Sequence, residues 1–241
     1  MSADAIALGI YGKLPARGDF IQRNMPPDCL QAWDGWLQQG VVRSREQLGD
    51  HWLRYYLNGP LWRFALSAGC CGQQPVVGVW MPSVDRVGRY FPLTVMSTVA
   101  PDADLPALVH GDQAWFEQVE QLLLTALEDH LDLNAFLAQV QAVGPAPHTS
   151  LAVSVTGTGQ HWHCVLPEFA ALDQLMPQLW PVLLAQLLPN TTLWWTHGSQ
   201  DIAACVLLCA GLPDSDRFAT LLTGDGSDTH WTRVEMINRV G

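Results

Sequence analysis

Two cationic loops are the first places in this chain where chemistry could reside. Residues 12–24 read GKLPARGDFIQRN and directly follow the apolar run IALGIY. Gly12-Lys13 is the dipeptide that closes a phosphate loop. A phosphate loop, however, needs four residues between its first glycine and Gly-Lys, then Ser or Thr to hold magnesium. Here Gly9 stands too close and Leu14 follows the lysine. Pro15 also removes an N–H that a phosphate cradle would use. Arg17-Gly18-Asp19 spells an integrin-binding tripeptide, but so short a match arises by chance and nothing marks the chain for export.

Other reactive letters fare no better. His161, His163 and Cys164 look like metal ligands, yet on a strand the two histidines share one face and the cysteine takes the other. The site lacks a third ligand. His197, Ser199 and Asp201 carry the letters of a catalytic triad within one short turn, whereas triads gather members from separated segments. We read them as a polar loop after a strand. Asp129-His130 ends a helix, where histidine suits the dipole. With no G-x-S-x-G elbow and no H-E-x-x-H helix, we expect no catalytic residue, no metal, no cofactor and no enzyme.

A second loop is more informative. Residues 80–93, WMPSVDRVGRYFPL, repeat the chemistry of the first: proline, glycine, arginines and an aspartate between apolar strands. The sequence allows two arrangements. Either each loop is a solvated turn, whose exposed pairs contribute ~0–1 kcal/mol, or the loops meet at one end of a sheet. In the second case Asp19 or Asp85 pairs with an arginine of the opposite loop, and Phe20, Tyr90 and Phe91 bury beside the pair. The candidate functional or partner-binding residues are therefore Lys13, Arg17, Asp19, Phe20, Asp85, Arg86, Arg89 and Tyr90. Gly12, Pro15, Gly18, Gly88 and Pro92 shape the turns.

The elements that hold these loops follow from periodicity. Pro26-Pro27-Asp28 opens a helix with Leu30, Trp33, Leu37 and Val41 on one stripe. A second helix is expected from a capping box at Ser44-Arg45-Glu46-Gln47, ending at Asn58-Gly59-Pro60. Strands are expected over 61–67, 76–81 and 93–99. Their connections are too short for parallel crossovers, so these neighbours should be antiparallel. Asp112 and Asp132 are placed to cap two further helices, the latter ending at Gly144-Pro145. Strands over 150–156, 161–166, 191–196 and 202–210 follow, with a helical segment near 169–188 and a last helix near Asp214. The run 202–212 reads as a buried strand with its turn. The pattern is a layered α/β domain with a mixed sheet, one domain over residues 1–241 with a helical insertion near 112–143.

Composition narrows the function. Of 241 residues, 49% are hydrophobic and 15% charged, which excludes a disordered chain. A net charge of −11 argues against nucleic acid and against an anionic membrane surface. Eleven tryptophans imply a bulky core, and an exposed aromatic would imply a protein partner. Six cysteines without C-x-x-C spacing read as reduced core thiols. No leader-like start and no long apolar run point to a cytoplasmic protein.

GKLPARGDF after the first strand, PSVDRVGRYFPLTV between middle strands and LWWTHG in a late strand resemble the TagF family, also called ImpM, over essentially the whole chain. These proteins accompany bacterial type VI secretion. The resemblance implies a three-layer αβα sandwich and a cytoplasmic accessory protein, not part of the secreted tube. It further implies post-translational repression of assembly through a forkhead-associated scaffold protein, and carries over no catalytic residue. Against this stands a sensor or enzyme that uses the two charged loops as an anion pocket, with Lys13, Arg17 or Arg89 holding the anion.

Overall fold

Central strands with both faces apolar have to be covered twice, and this sheet is. The computed structural model describes residues 8–101, 103, 113–128, 130–147, 190–227, 231–232 and 234. The strands are β1 (Gly9–Gly12), β2 (Ile21–Arg23), β3 (Trp62–Leu66), β4 (Val76–Met81), β5 (Leu93–Thr98), β6 (Thr191–Thr196) and β7 (Cys205–Ala210). They form one sheet in the order β2-β1-β5-β4-β3-β6-β7. The three middle strands expected to be antiparallel neighbours are so. Where the sequence suggested a mixed sheet, every pairing among the described strands is antiparallel.

Side chains alternate between two hydrophobic layers. On one face Ile10, Ala65, Val77, Val79, Val95 and Trp195 pack beneath α3 (Gln113–Thr125) and α4 (Leu133–Val143), which supply Trp115, Phe116, Val119, Leu123 and Phe136. On the other, Tyr11, Trp62, Phe64, Trp80, Met96 and Trp194 pack beneath α1 (Pro27–Leu48), α2 (Trp52–Leu57) and α5 (Phe218–Thr223). The result is the expected αβα sandwich. The Asp132 cap is present, its carboxylate accepting from Asn134 N and Ala135 N, and Gly144 ends α4 at φ 72°. Asp214 likewise caps the last helical segment by accepting from Arg217 N. Asp112, Asp129, His161, His163, Cys164, the strands expected over 150–156 and 161–166, and the helix near 169–188 lie outside the described residues. No helix among those described is long and apolar enough to cross a membrane.

Two expectations need correcting. No helix starts at Ser44: α1 runs through it. The Ser44 hydroxyl donates to Val41 O at 3.0 Å and accepts from Trp52 Nε1 at 2.9 Å, which leaves it unable to cap. The break falls instead at Gly49, whose φ of 51° suits glycine and stops an α-helix. The run 202–212 is not a fully buried strand. β7 is the last strand of the described sheet. Cys205, Leu207 and Cys209 lean on the α1 layer, while Val206, 66% exposed, takes the other side. α3 packs chiefly over β4 and β5.

Close helix packing depends on Gly40. A Cβ there would lie 2.1 Å from Cδ2 of Phe218, a fully buried ring that joins α5 to α1. Glycine inside a helix ordinarily costs ~0.5–1 kcal/mol relative to alanine. Overpacking a filled core costs ~1–3 kcal/mol. We therefore expect Gly40→Ala to lower stability in chemical denaturation. A gain would show that Phe218 moves aside without penalty.

Candidate functional site

The sheet order decides where the two loops go. β1 pairs with β5 at Gly12↔Leu93, so the chain leaving β1 and the chain entering β5 run side by side. Gly12 has φ 140°, and a Cβ on it would lie 2.1 Å from the Pro92 carbonyl oxygen, so both conformation and space require glycine. Ser83 Oγ donates to Lys13 O at 2.8 Å, and Arg86 N donates to Arg17 O at 2.9 Å. The two loops thus meet at one end of the sheet, as their matched composition suggested.

The second loop folds as a small hairpin around a carboxylate. Val84 bridges Tyr90, Asp85 N donates to Arg89 O at 3.0 Å, and Gly88 turns at φ 83°. Asp85 points inward, its side chain entirely inaccessible to solvent. Its Oδ1 accepts from Val87 N at 3.0 Å and Arg89 N at 2.9 Å. Its Oδ2 accepts from Arg89 Nε at 2.7 Å and lies 3.0 Å from Lys13 Nζ. Burial alone would raise the Asp85 pKa. The Arg89 N–H, the Lys13 ammonium, the Arg89 guanidinium and the Val87 N–H together outweigh it and hold the carboxyl well below its usual range.

The partner of this acid differs from the expectation. The cation arriving from the opposite loop is Lys13, not an arginine, because the lysine follows Gly12 directly and is itself buried. Arg89, from the same loop as Asp85, completes the pair, and its Nη2 reaches across to the Gly18 carbonyl. Gly18 is not in a left-handed conformation, so its carbonyl, not a sharp turn, is its contribution. Asp19 is exposed and makes no ion pair among the described residues. The Lys13 ammonium that a phosphate loop would offer to a nucleotide is instead held on Asp85.

Aromatic side chains brace the pair from two sides. Phe20 stacks on Tyr11 at 5.6 Å and meets Phe91 edge-on at 4.9 Å, with Lys13 Nζ 5.0 Å from its ring centre. Tyr11 OH donates to Asp34 Oδ1 at 2.6 Å, which ties this corner to α1. Burial, followed by that carboxylate, pushes the Tyr11 phenol above its ordinary value. Behind the hairpin, Tyr90 packs edge-on against Trp52 and Tyr56, each at 5.6 Å. Tyr56 OH donates to Ser83 O at 3.0 Å. Tyr90 therefore supports the loop from within. Phe20 does not bury beside the pair as expected: at 47% exposure it faces outward, as do Val87, at 65%, and the exposed Arg17, Arg86 and Arg89.

Three contributors escaped the sequence reading. Ser83 and Asp34 carry no local signal, because their partners come from distant segments. Arg63 did leave one, a cation inside the apolar run LWRFAL. It is 1% exposed and forms two 2.7 Å bonds to the Glu120 carboxylate, with Gln113 as a further acceptor. It fastens α3 to the sheet. The loop of His197, Ser199 and Asp201 is the polar turn expected, with Asp201 paired to Arg54 at 3.4 Å.

Residues 9–143 match the sequence profile of the TagF N-terminal domain, described as type VI secretion system-associated. The crystal structure of PA0076 from Pseudomonas aeruginosa PAO1 aligns with a TM-score of 0.82 and 38% sequence identity, covering 98% of this chain and 100% of that one. No curated protein is significantly similar in sequence. β6, β7 and α5 lie beyond the profile match yet belong to the same sheet and layers.

The buried pair generates two predictions. Asp85→Asn removes the acid but leaves Lys13 buried beside a neutral group, so unfolding free energy should fall by ~3–5 kcal/mol. Asp19→Asn, exposed and unpaired, should change it by no more than ~0.5 kcal/mol. Equal effects in urea denaturation would remove Asp85 from its structural role. The second concerns pH. The folded Asp85 pKa is lower than the unfolded value of ~4, so its stabilisation is whole above that value. It is lost as pH falls toward the folded pKa. The stability gap between the wild type and Asp85→Asn should hence be constant near neutrality and narrow below about pH 4. A gap that widens in acid would contradict the assignment.

Proposed function

This chain belongs to the TagF family of type VI secretion system-associated proteins, and from that premise we propose that it works by binding protein, without catalysis. In this reading it is a cytoplasmic accessory protein that represses assembly of the secretion apparatus post-translationally. It does so by engaging a forkhead-associated scaffold protein of that system through the outer rim of the two paired loops.

One observation carries the reading: the loops combine a locked interior with an exposed rim. Lys13 and Asp85 are buried and mutually satisfied, and Tyr56, Tyr90 and Phe91 hold the hairpin in place. Outside them stand a half-exposed aromatic, an exposed valine and three exposed arginines. A pre-ordered loop loses little conformational freedom on binding, which favours affinity. Aromatic and arginine side chains are also the types that dominate interface energetics. Charge adds direction. The chain has 12 cationic side chains and a net charge of −11, and five of those cations (Lys13, Arg17, Arg23, Arg86 and Arg89) lie on residues 12–24 and 80–93, against two acids, Asp19 and Asp85. An acidic protein face fits such a rim, and the rest of the surface repels it.

The test is titration of the purified chain with the forkhead-associated protein of its own secretion system. Phe20→Ala should weaken binding by ~2 kcal/mol or more if Phe20 anchors the contact. Arg17→Glu and Arg86→Glu should weaken it, chiefly through slower association, while stability stays within ~0.5 kcal/mol of the wild type. Absence of binding by the wild type would remove the named partner. Unchanged binding in all three variants would keep the partner and discard this surface.

A further inference from the structure

Cys29 and Cys71 take no part in the loop site, yet they are brought into contact from 42 positions apart. Cys29 lies in the first turn of α1 and Cys71 in the loop between β3 and β4. Both are free thiols, both are buried, and their Sγ atoms are 2.7 Å apart. Reaching the bonded distance of 2.03–2.05 Å needs a shift of roughly 0.7 Å, within reach of side-chain rotation.

The backbone around the pair is arranged for this closeness. A Cβ on Gly72 would lie 2.9 Å from Asp28 Oδ2 and 3.3 Å from Cys29 Cβ, so glycine lets the loop lie against the helix. Gln73 N donates to Asp28 Oδ2 at 3.0 Å and pins it there. The Cys71 thiol donates to the Cys29 carbonyl at 3.2 Å. Cys70, next in the chain, is turned elsewhere, its Sγ donating to Asn190 O at 3.1 Å. The sulfur of Cys29, together with burial, pushes the Cys71 thiol far up and keeps it protonated in the resting state.

Access is one-sided. A groove of about 240 Å³ opens beside Cys29, with Pro26, Asp28, Gln73 and Thr98 among its walls, and Cys71 does not line it. One water requires ~10–15 Å³ of such space, and a hydroperoxide is little larger.

We propose that Cys29 and Cys71 form a peroxide-reactive site that closes reversibly into a disulfide between the start of α1 and the β3–β4 loop. The sulfur of Cys29 attacks the peroxide: an S–O bond forms, the O–O bond breaks, and a sulfenic acid and one water result. The sulfur of Cys71 then attacks that of Cys29. The S–S bond forms, the S–O bond breaks, and the departing hydroxide takes the Cys71 proton as a second water. Two thiols lose two electrons and one hydrogen peroxide becomes two waters. A dithiol reductant reverses the closure by exchange.

The experiment uses the full chain, reduced and then treated with hydrogen peroxide, quenched, unfolded in an alkylating reagent and mapped by peptide mass. Supporting results are a single Cys29–Cys71 cross-link with loss of two hydrogens and a raised thermal midpoint that dithiothreitol returns to its reduced value. Retention of the bridge in Cys70→Ser also supports the site. Both cysteines alkylated after treatment, a bridge from either one to Cys70, or oxygen added at Cys29 without a bridge would each overturn it. The mapping is read on the wild-type chain, so it does not depend on a variant folding, and it is independent of the partner reading above.

Discussion

Burial of both faces of β3, β4 and β5 is the constraint from which the other features of this molecule follow. A sheet with two apolar faces needs helices on each, and the helices need bulky side chains to fill the space between layers. Tryptophan provides the volume but brings an indole N–H that must find an acceptor away from water. The structure answers this case by case. Trp33 donates to Thr94 Oγ1, Trp36 to Pro213 O, Trp62 to Leu221 O and Trp194 to Thr192 Oγ1. The first three join segments far apart in the chain, and those of Trp33 and Trp62 tie α1 and α5 to the sheet as well as satisfying donors, whereas the Trp194 bond stays within β6. Trp80 Nε1 is the exception among the described residues, buried without a partner.

The same accounting governs charge. Arg63 lies in the middle of a strand, a position in which a lone cation would be prohibitive. Its fork-like contact with Glu120 satisfies the Nε–Nη2 edge of the guanidinium, Gln113 accepts from Nη1, and both acceptors tie α3 to β3. Asp85 is the anionic counterpart at the sheet's end. There the desolvation penalty is met by two backbone N–H groups and two cations, and the loops become part of the rigid body. A buried ion pair of this kind is poor evidence of extra stability, since apolar packing of equal volume often does as well. Its consequence here is geometric: it holds the exposed rim of Phe20, Val87 and the arginines in one arrangement.

Local features of the chain could be read directly from its residues. Helix and strand periods are written in consecutive positions, so the middle strands, the stripe of α1 and the Asp132 cap were all legible. Matched composition even signalled that the two loops belong together. Legibility failed where a residue serves a distant partner. Ser44 carries the letters of a cap, but the indole of Trp52 claims its oxygen and α1 continues to Gly49. Residues 205–210 are apolar enough for a core strand, yet hydrophobicity does not say whether a strand lies in the middle of a sheet or at the end of its described part.

By itself, then, the sequence determined the elements, the pairing of neighbouring strands and the family to which the chain belongs, because each depends on residues close together or on motifs read in order. Tertiary structure alone decided that β1 lies beside β5, and with it that Lys13, not an arginine, reaches Asp85. It decided equally that Arg63 meets Glu120 and that Cys29 meets Cys71. The physical reason is the same in each case. Desolvation makes a buried polar or charged group depend on whichever partner the packed layers bring within about 3 Å, and that proximity is a property of the folded sheet, not of spacing along the chain.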